Sequence, residues 1–282
     1  MSRRTLSGDV LVDGRPAPGL PADDRGLAYG DGLFETVRFH AGRAPLWPGH
    51  MARLRRGCRR LRLALPDPAL LWSEAAGLAG RQDVAIKLIL TRGGGRGYAP
   101  PERAHARRLL LRQSLPDMPA RLYRDGLRLR WCRLRLAIQP ALAGLKHLNR
   151  LEQVLARAEW RDPGIDEGLC LDTDGHLVCA TAANVFVVRD GVLLTPRLDR
   201  CGVAGVARAA LLAKARRWLP VREMRLVRAD VDAADEVFLS NAVRGVMPVR
   251  RVGQRRYRPG PVAARLGYTL AAVGIGQAFD ES

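Results

Sequence analysis

The sequence predicts a two-domain chain of mixed α/β (α+β) class. Three observations carry that reading. A chain of 282 residues, 47% of them hydrophobic, is long for one compact core and sufficient for two. Segments of period two and segments of period three to four follow one another along the whole length, so strands and helices are interleaved. The proline-bearing stretch SLPDMPARLYRDG then divides the chain into an N-terminal small domain (1–113), a linker (114–126) and a C-terminal domain (127–282).

In chain order, Val10 to Val12 reads as an extended opening and Leu33 to Phe39 as a strand. From about His50 the apolar residues Met51, Leu54, Cys58, Leu61 and Leu65 recur every three or four positions, which predicts an amphipathic helix with most of its arginines in solvent. A second short helix is expected near Leu70 to Leu78. Val84 to Thr91 is a strand by its β-branched and leucine content, and the glycines of TRGGGRGY after it exclude a helix. RRLLLRQ closes the first half as a further strand.

LRLRWCRLRL opens the second half with strict alternation and predicts a half-buried strand, followed by a bend at Gln139 and Pro140. Leu148, Leu151, Val154, Leu155 and Ala158 fall on one stripe of a helix expected from His147 to Arg161. LCLDTDGHLVCA is a hairpin turning at Asp174 and Gly175, and ANVFVVRDGVLLTP repeats the pattern at Asp190 and Gly191. After LDRCGVAG a helix is expected from about Val206 to Leu219. Strands near Val221 to Val227 and Glu236 to Leu239 lead into SNAVRGVMPV.

Composition removes several function classes. The net charge of +19 suggests nucleic acid, but 44 of the 47 basic residues are arginine amid abundant alanine, glycine and proline, the background that GC-rich codons impose. Aromatics make up only 5% and do not interleave with the basic runs, so no stacking platform and no nucleic-acid partner is expected. No apolar run approaches the roughly eighteen residues of a membrane span. Two early arginines, Arg3 and Arg4, are not followed by an apolar segment, so a cytoplasmic location is expected. Five scattered cysteines without a CxxC pair read as reduced thiols, and five histidines without paired spacing support no metal site.

Lysine scarcity narrows the search for a nucleophilic amine to Lys87, Lys146 and Lys214. Lys214 lies mid-helix beside Arg216 and Arg217, where a solvated charge is the ordinary reading. Lys87 lies inside an apolar strand, where it can snorkel or pair with an acid. Lys146, in LAGLKHLNRLEQ, follows a flexible Ala143-Gly144 approach at the start of the expected helix. A lysine desolvated there sheds its proton more readily and exposes the lone pair that attacks a carbonyl, although a plain surface lysine is the alternative. The second feature is CGVAGVAR (201–208), where glycines precede a helix whose first amides could receive a phosphate or could simply begin a turn.

Seven ordered blocks carry a family resemblance: DRGLAYGDGLFETVR, HMARL, TRGGGRGY, LAGLKHLNRLEQ, ATAANVF, TPRLDRCGVAGVAR and SNAVRGVMPV. In this order they resemble the fold-type IV (branched-chain aminotransferase-like) pyridoxal-phosphate enzymes. The resemblance implies a smaller N-terminal α/β domain, a larger C-terminal domain built around a β-barrel-like sheet, a homodimer and pyridoxal 5'-phosphate as cofactor. Lys146 matches the lysine that joins the cofactor covalently and later carries the proton. Arg53, the backbone amides of Val206 and Ala207, and Asn241 match contacts to the cofactor phosphate, and Asn184 matches a further cofactor contact. Phe34 and Thr36 match residues lining the pocket, with Thr36 placed beside the chemistry. Arg96 or Tyr98 matches the loop that meets substrate carboxylates.

One position departs from the pattern. The family carries an acid against the pyridine nitrogen where this chain has Cys179, and Asp172 and Asp174 belong to the preceding strand and turn. A thiol has an ordinary pKa of about 8.5 and gives no guaranteed negative charge at neutral pH.

LAGLKHLNRLEQ and TRGGGRGY resemble the lyase branch more than the aminotransferases. The implied reaction converts 4-amino-4-deoxychorismate, a small dicarboxylate, to 4-aminobenzoate and pyruvate for folate biosynthesis. Arg92, Arg96 and Arg244 are the arginines expected to meet its carboxylates. A D-amino-acid or branched-chain aminotransferase of the same fold, a relative without cofactor and a basic nucleic-acid-binding protein are the alternatives.

Overall fold

A computed structural model describes residues 9–17, 19–101 and 105–279, so Arg3 and Arg4 lie outside the described residues. The chain forms two compact units. The first takes the described residues of Met1–Pro116 together with Leu145–Asn149, and the second those of Asp117–Gly144 and Arg150–Ser282.

The first unit contains β1 (Val10–Val12), β2 (Arg15–Pro16), α1 (Arg25–Tyr29), β3 (Gly32–Phe39), α2 (Trp47–Leu61), α3 (Pro68–Ala79), β4 (Val84–Thr91) and β5 (Arg107–Ser114). Its sheet runs β2-β1-β5-β4-β3, antiparallel throughout. Leu33, Val37 and Phe39 alternate onto the face that packs with Met51, Leu54 and Cys58 of α2 and Leu71 and Ala75 of α3. Phe34 and Thr36 therefore fall on the other face, directly opposite Ile89 and Lys87 of β4. The helix expected from His50 begins at Trp47, because Pro48 in its first turn sets φ without forfeiting a needed hydrogen bond. It ends at Arg62 in the left-handed region, so Leu65 packs on the core from outside the helix.

Residues 145–149 complete this unit, although a division of the chain at one linker assigns them to the C-terminal domain. The Phe34 amide donates to the Lys146 carbonyl at 2.8 Å and the Leu148 amide to the Gly32 carbonyl at 3.0 Å. The segment thus lies as an extended piece along the free edge of β3, with His147 opposite Leu33.

The second unit contains α4 (Arg121–Arg124), β6 (Leu127–Leu136), α5 (Leu151–Arg157), β7 (Glu167–Asp172), β8 (Leu177–Ala180), β9 (Asn184–Arg189), β10 (Val192–Pro196), α6 (Val206–Ala215), β11 (Val221–Met224), α7 (Arg228–Asp232), β12 (Glu236–Asn241), β13 (Gly245–Val252), β14 (Arg255–Arg256) and α8 (Pro261–Ala271). Its sheet runs β11-β10-β9-β12-β13-β6-β7-β8, with β14 paired to β13. The Leu177 amide on edge strand β8 reaches the carbonyl of Leu226, just past the opposite edge strand β11, at 2.7 Å. The sheet is therefore curled onto itself, as a barrel-like domain requires. Phe186 and Phe238 stack at 4.8 Å in its interior.

Both expected hairpins form. Asp190 and Gly191 have φ of 51° and 72°, the two left-handed residues of a type I′ turn. Four expectations change. The alternation of β6 breaks where its pairing with β7 shifts register between Trp131 and Arg135. The helix expected from His147 to Arg161 shrinks to Leu151–Arg157, since residues 146–148 pair with β3 instead. Its apolar stripe faces outward, with Leu151 68%, Val154 60% and Leu155 53% exposed. Helix α6 stops at Ala215 in a tight turn before Pro220, which disfavours helix at the preceding residue. Among the described residues no helix is long and apolar enough to cross a membrane.

Candidate functional site

In the first unit the added segment 145–149 sets Lys146 against β3. Its backbone is held by the Phe34 amide, and its Nζ lies 4.2 Å from the centre of the Phe34 ring. Lys87 Nζ approaches the same ring at 5.5 Å, and Thr36 lies directly across the ladder from Lys87. Lys87 and Lys146 thus share the Phe34 ring, with Thr36 across the ladder from Lys87.

Glu35 points the other way, toward α2, and is 1% exposed. It accepts hydrogen bonds from His50 Nδ1 at 2.7 Å and Arg53 Nε at 2.8 Å, and also from Arg53 Nη2. Burial opposes the Glu35 charge, but the Arg53 guanidinium and then His50 outweigh it and hold the carboxyl down at about 2. Burial moves His50 below its ordinary range against the pull of Glu35, and the charges of Arg53 and Lys146 add to that lowering. A carboxylate beside Nδ1 assigns the proton to that nitrogen. His50 Nε2 is buried without a hydrogen-bond partner. Arg53 thus turns inward from the basic helix onto an acid the sequence reading had not singled out.

The glycine-rich loop places its candidates differently. Arg92 is 7% exposed, with Nε and Nη2 on Asp31 at 2.7 and 3.0 Å, and it also donates to the carbonyls of Leu61 and Arg62. It is a strut between the loop and the end of α2, so its expected place on a substrate carboxylate is corrected: the guanidinium is already committed. Arg96 stands exposed, and Tyr98 is 88% exposed with its ring 5.5 Å from Tyr29.

In the second unit the start of α6 is the notable feature. Gly205 caps the helix with extended backbone and no side-chain hydrogen bond, leaving the amides of Val206 and Ala207 without a cap. The preceding loop is pinned by Gly144, whose amide donates to Gly202 at 2.9 Å and whose carbonyl accepts from Ala204 at 3.1 Å. Asn184 Nδ2 donates to the Val203 carbonyl at 2.9 Å, and a Cβ on Gly205 would collide with the Asn184 carboxamide. Directly across the ladder from Asn184 sits Ser240, whose Oγ is fully buried without a partner. The sequence reading did not single out Ser240. Its neighbour Asn241 receives the Val243 and Arg244 amides on Oδ1 and donates from Nδ2 to the Ala182 carbonyl, which fixes the turn into β13. Arg244 is half-buried, and its carbonyl accepts from Tyr123 Oη at 2.8 Å.

Cys179 is buried opposite Cys170. Burial, with the Cys201 and Glu167 charges, pushes its thiol up to about 12 against the pull of Arg150, so it is neutral at physiological pH. Asp172 accepts the amides of Asp174 and His176, and Asp174 pairs with Arg200, so neither is free to replace the missing acid. Glu167, which the sequence reading did not weigh, binds Thr181 Oγ1 and the Gly168 amide.

The sequence pattern of the amino-transferase class IV family matches residues 32–252, from the first residue of β3 to the last of β13. The chain belongs to the class IV aminotransferase family. Among relatives of this family member, the aminodeoxychorismate lyase of Vibrio harveyi is 36% identical over 242 residues, covering 84% of this chain and 89% of that one. The solved 4-amino-4-deoxychorismate lyase from Pseudomonas aeruginosa is 49% identical, with a TM-score of 0.90 over 93% of this chain and 98% of that one. A T.th. branched-chain amino acid aminotransferase, solved with pyridoxamine 5'-phosphate, shares the fold at 23% identity and a TM-score of 0.80, covering 89% and 88%.

Proposed function

We propose that this class IV aminotransferase family member is a pyridoxal-phosphate-dependent lyase converting 4-amino-4-deoxychorismate to 4-aminobenzoate and pyruvate. The near full-length likeness to the Pseudomonas aeruginosa lyase carries the reading. The chain's own residues fit the cofactor. The uncapped amides of Val206 and Ala207, the side-chain-free Gly205 and the orphaned Ser240 hydroxyl form a cradle suited to a phosphate. Within the first unit, Arg53 offers a buried guanidinium to an anionic group. Lys146 supplies the amine.

When bound, pyridoxal phosphate supplies an aldehyde for amines and a ring that withdraws electrons from the carbon beside the nitrogen. Lys146 Nζ would be the amine that holds the group and makes way for the substrate amine. The same Nζ, placed 4.2 Å from the centre of the Phe34 ring, would serve as the base for the proton on the amine-bearing carbon. The carbon–oxygen bond to the enolpyruvyl group breaks, the ring becomes aromatic, and the departing group gains a proton to become pyruvate. Thr36 offers a hydroxyl on the same strand face as Phe34. We further propose a homodimer, supported by the outward apolar stripe of α5.

Incubation of the cofactor-loaded protein with 4-amino-4-deoxychorismate should release equal amounts of 4-aminobenzoate and pyruvate. Borohydride reduction should place a pyridoxyl mass on the peptide bearing Lys146. Amino-group transfer to a keto acid without 4-aminobenzoate, or a label on Lys87 or Lys214 alone, would overturn the reading.

A further inference from the structure

We infer that Arg128, Arg251 and Arg256 form a binding site for a chain of linked phosphoryl groups on one face of the second unit's sheet. The inference goes beyond the proposed lyase reaction and does not depend on it. Three observations lead to it.

The first is register. Strand pairing sets Arg251 of β13 opposite Arg128 of β6 on one side and opposite Arg256 of β14 on the other. Paired residues share a face, so three arginine side chains stand in one row across three strands. The next pair along, Leu129 and Val252, is buried on the opposite face. Like charges placed directly opposite one another destabilise a sheet, so the row costs stability in the free protein. The register shifts between Val249 and Arg251, and Arg250 is the extra residue of that bulge, a device that re-aims the side chains beside it.

The second is the shortage of acids. Elsewhere in this unit arginines meet carboxylates: Arg130 pairs with Glu159, Arg189 with Asp230, Arg200 with Asp174 and Arg208 with Glu223. Within the row only Arg128 does so, with Nε 3.7 Å from Asp166 Oδ2 and Nη2 donating to the Pro163 carbonyl at 3.3 Å. Among the described residues no carboxylate pairs with Arg251 or Arg256. The Nε atoms of Arg128, Arg250 and Arg251 are each buried without a hydrogen-bond partner. Covering a guanidinium nitrogen without an acceptor costs free energy, and an anion held by the same group offsets it.

The third is rigidity. β14 has only two residues, yet the Tyr257 amide donates to the Arg250 carbonyl at 2.9 Å and Tyr257 Oη to the Val231 carbonyl at 2.8 Å. The backbone carrying Arg256 is thus fixed beside Arg251 before any ligand arrives. Adjacent strands stand about 4.8 Å apart, so two steps of the row span roughly 10 Å. A chain of phosphoryl groups carries oxygens on every unit, and each guanidinium offers paired N–H donors to them. A single phosphate engages only part of the row. Nucleic acid fits less well, because no exposed aromatic ring stands beside the row for a base to stack on. Tyr257 is buried, and the Arg228 guanidinium covers the Trp131 ring at 5.0 Å.

The test uses the cofactor-loaded full chain, so that the proposed cofactor site is already filled. Calorimetric titration with inorganic tripolyphosphate at physiological ionic strength should show one saturable site, about tenfold or more tighter than for inorganic phosphate. Arg251→Gln with Arg256→Gln should weaken tripolyphosphate binding about tenfold or more, with unchanged cofactor absorbance. Without ligand this double variant should melt no lower than the unchanged protein, since it removes like-charge repulsion. Arg256→Gln alone, at an exposed position, should weaken binding in the same direction and serves if the pair folds poorly. Arg55→Gln with Arg59→Gln removes the same charge from exposed positions of α2 and should leave binding unchanged. A nucleoside triphosphate that binds as tightly as tripolyphosphate identifies the phosphoryl chain as sufficient, and one that binds tighter identifies a nucleotide as the source. Absence of saturable binding overturns the inference, as does inorganic phosphate binding as tightly as tripolyphosphate. Equal weakening by both double variants also overturns it, reducing the effect to the net charge of +19. So does a single-stranded oligonucleotide that outcompetes tripolyphosphate and loses its binding in Arg251→Gln with Arg256→Gln.

Discussion

Glu35 illustrates what a single buried acid does for this protein. With its carboxyl held down at about 2 against an ordinary 4.5, the ionised form is stabilised by folding. Its contribution is complete above pH 4.5 and is lost as the pH falls toward 2. His50, lowered from 6.5, acts in the same sense, because the unfolded chain takes up its proton first. Glu35→Gln should leave Arg53 buried without its counter-charge and cost about 3–5 kcal/mol at neutral pH. Thermal unfolding from pH 7 to pH 3 checks this: the variant should melt lower at pH 7 and lose less on acidification. Cys179 makes the opposite point. Its thiol, pushed up to about 12, carries no charge to offer a pyridine ring, yet the proposed reaction gains aromaticity and tolerates weaker electron withdrawal. Cys179→Ala should therefore slow the lyase less than tenfold, about 1.4 kcal/mol of barrier, when compared at equal cofactor loading. Cys179→Glu should speed a slow transamination half-reaction more than it speeds the lyase. Inactivity of loaded Cys179→Ala matching that of Lys146→Ala would sink this account.

Among the elements, α6 owes its proposed role to the absence of a side chain at its cap. Gly205→Ala should force the new Cβ into Asn184, disturb the hydrogen bond from Asn184 to Val203 and weaken cofactor binding at least tenfold. Equilibrium titration followed by cofactor absorbance measures it, with Gly191→Ala in the remote hairpin turn as a control that lowers stability and leaves cofactor affinity unchanged. Local signals made some elements legible. β4 matches Val84 to Thr91 at both ends because β-branched residues give way abruptly to glycines. The Asp190-Gly191 turn announced itself in two letters. What failed was information held by tertiary partners. The period of Leu148, Leu151, Val154 and Leu155 is helical, but the edge of β3 offered residues 146–148 hydrogen bonds that a helix start would not have satisfied. The partnership of Glu35 with His50 and Arg53 joins a strand to a helix, and no spacing within either reveals it. Ser240 was hidden beside the more conspicuous Asn241 for a similar reason: its neighbour across the ladder, Asn184, lies 56 positions away in the chain.

For the whole molecule, the proposed homodimer has a specific test in α5. Light scattering should give about twice the 31.0 kDa chain mass, and Leu151→Glu with Leu155→Glu should shift it toward a single chain while circular dichroism stays unchanged. A double variant that remains fully dimeric places the interface elsewhere. The path of the backbone has a further effect, on the order of synthesis. The first unit is closed by residues 145–149, so a ribosome that has completed Pro116 has not yet made the piece that covers the edge of β3. Until roughly thirty more residues emerge, that strand shows unpaired amides and carbonyls to other chains. Lys146 takes its place beside Phe34 only after the opening of the second unit has been translated. A chain interrupted before residue 145 would carry the sheet without the reactive amine, and with an open edge inviting aggregation.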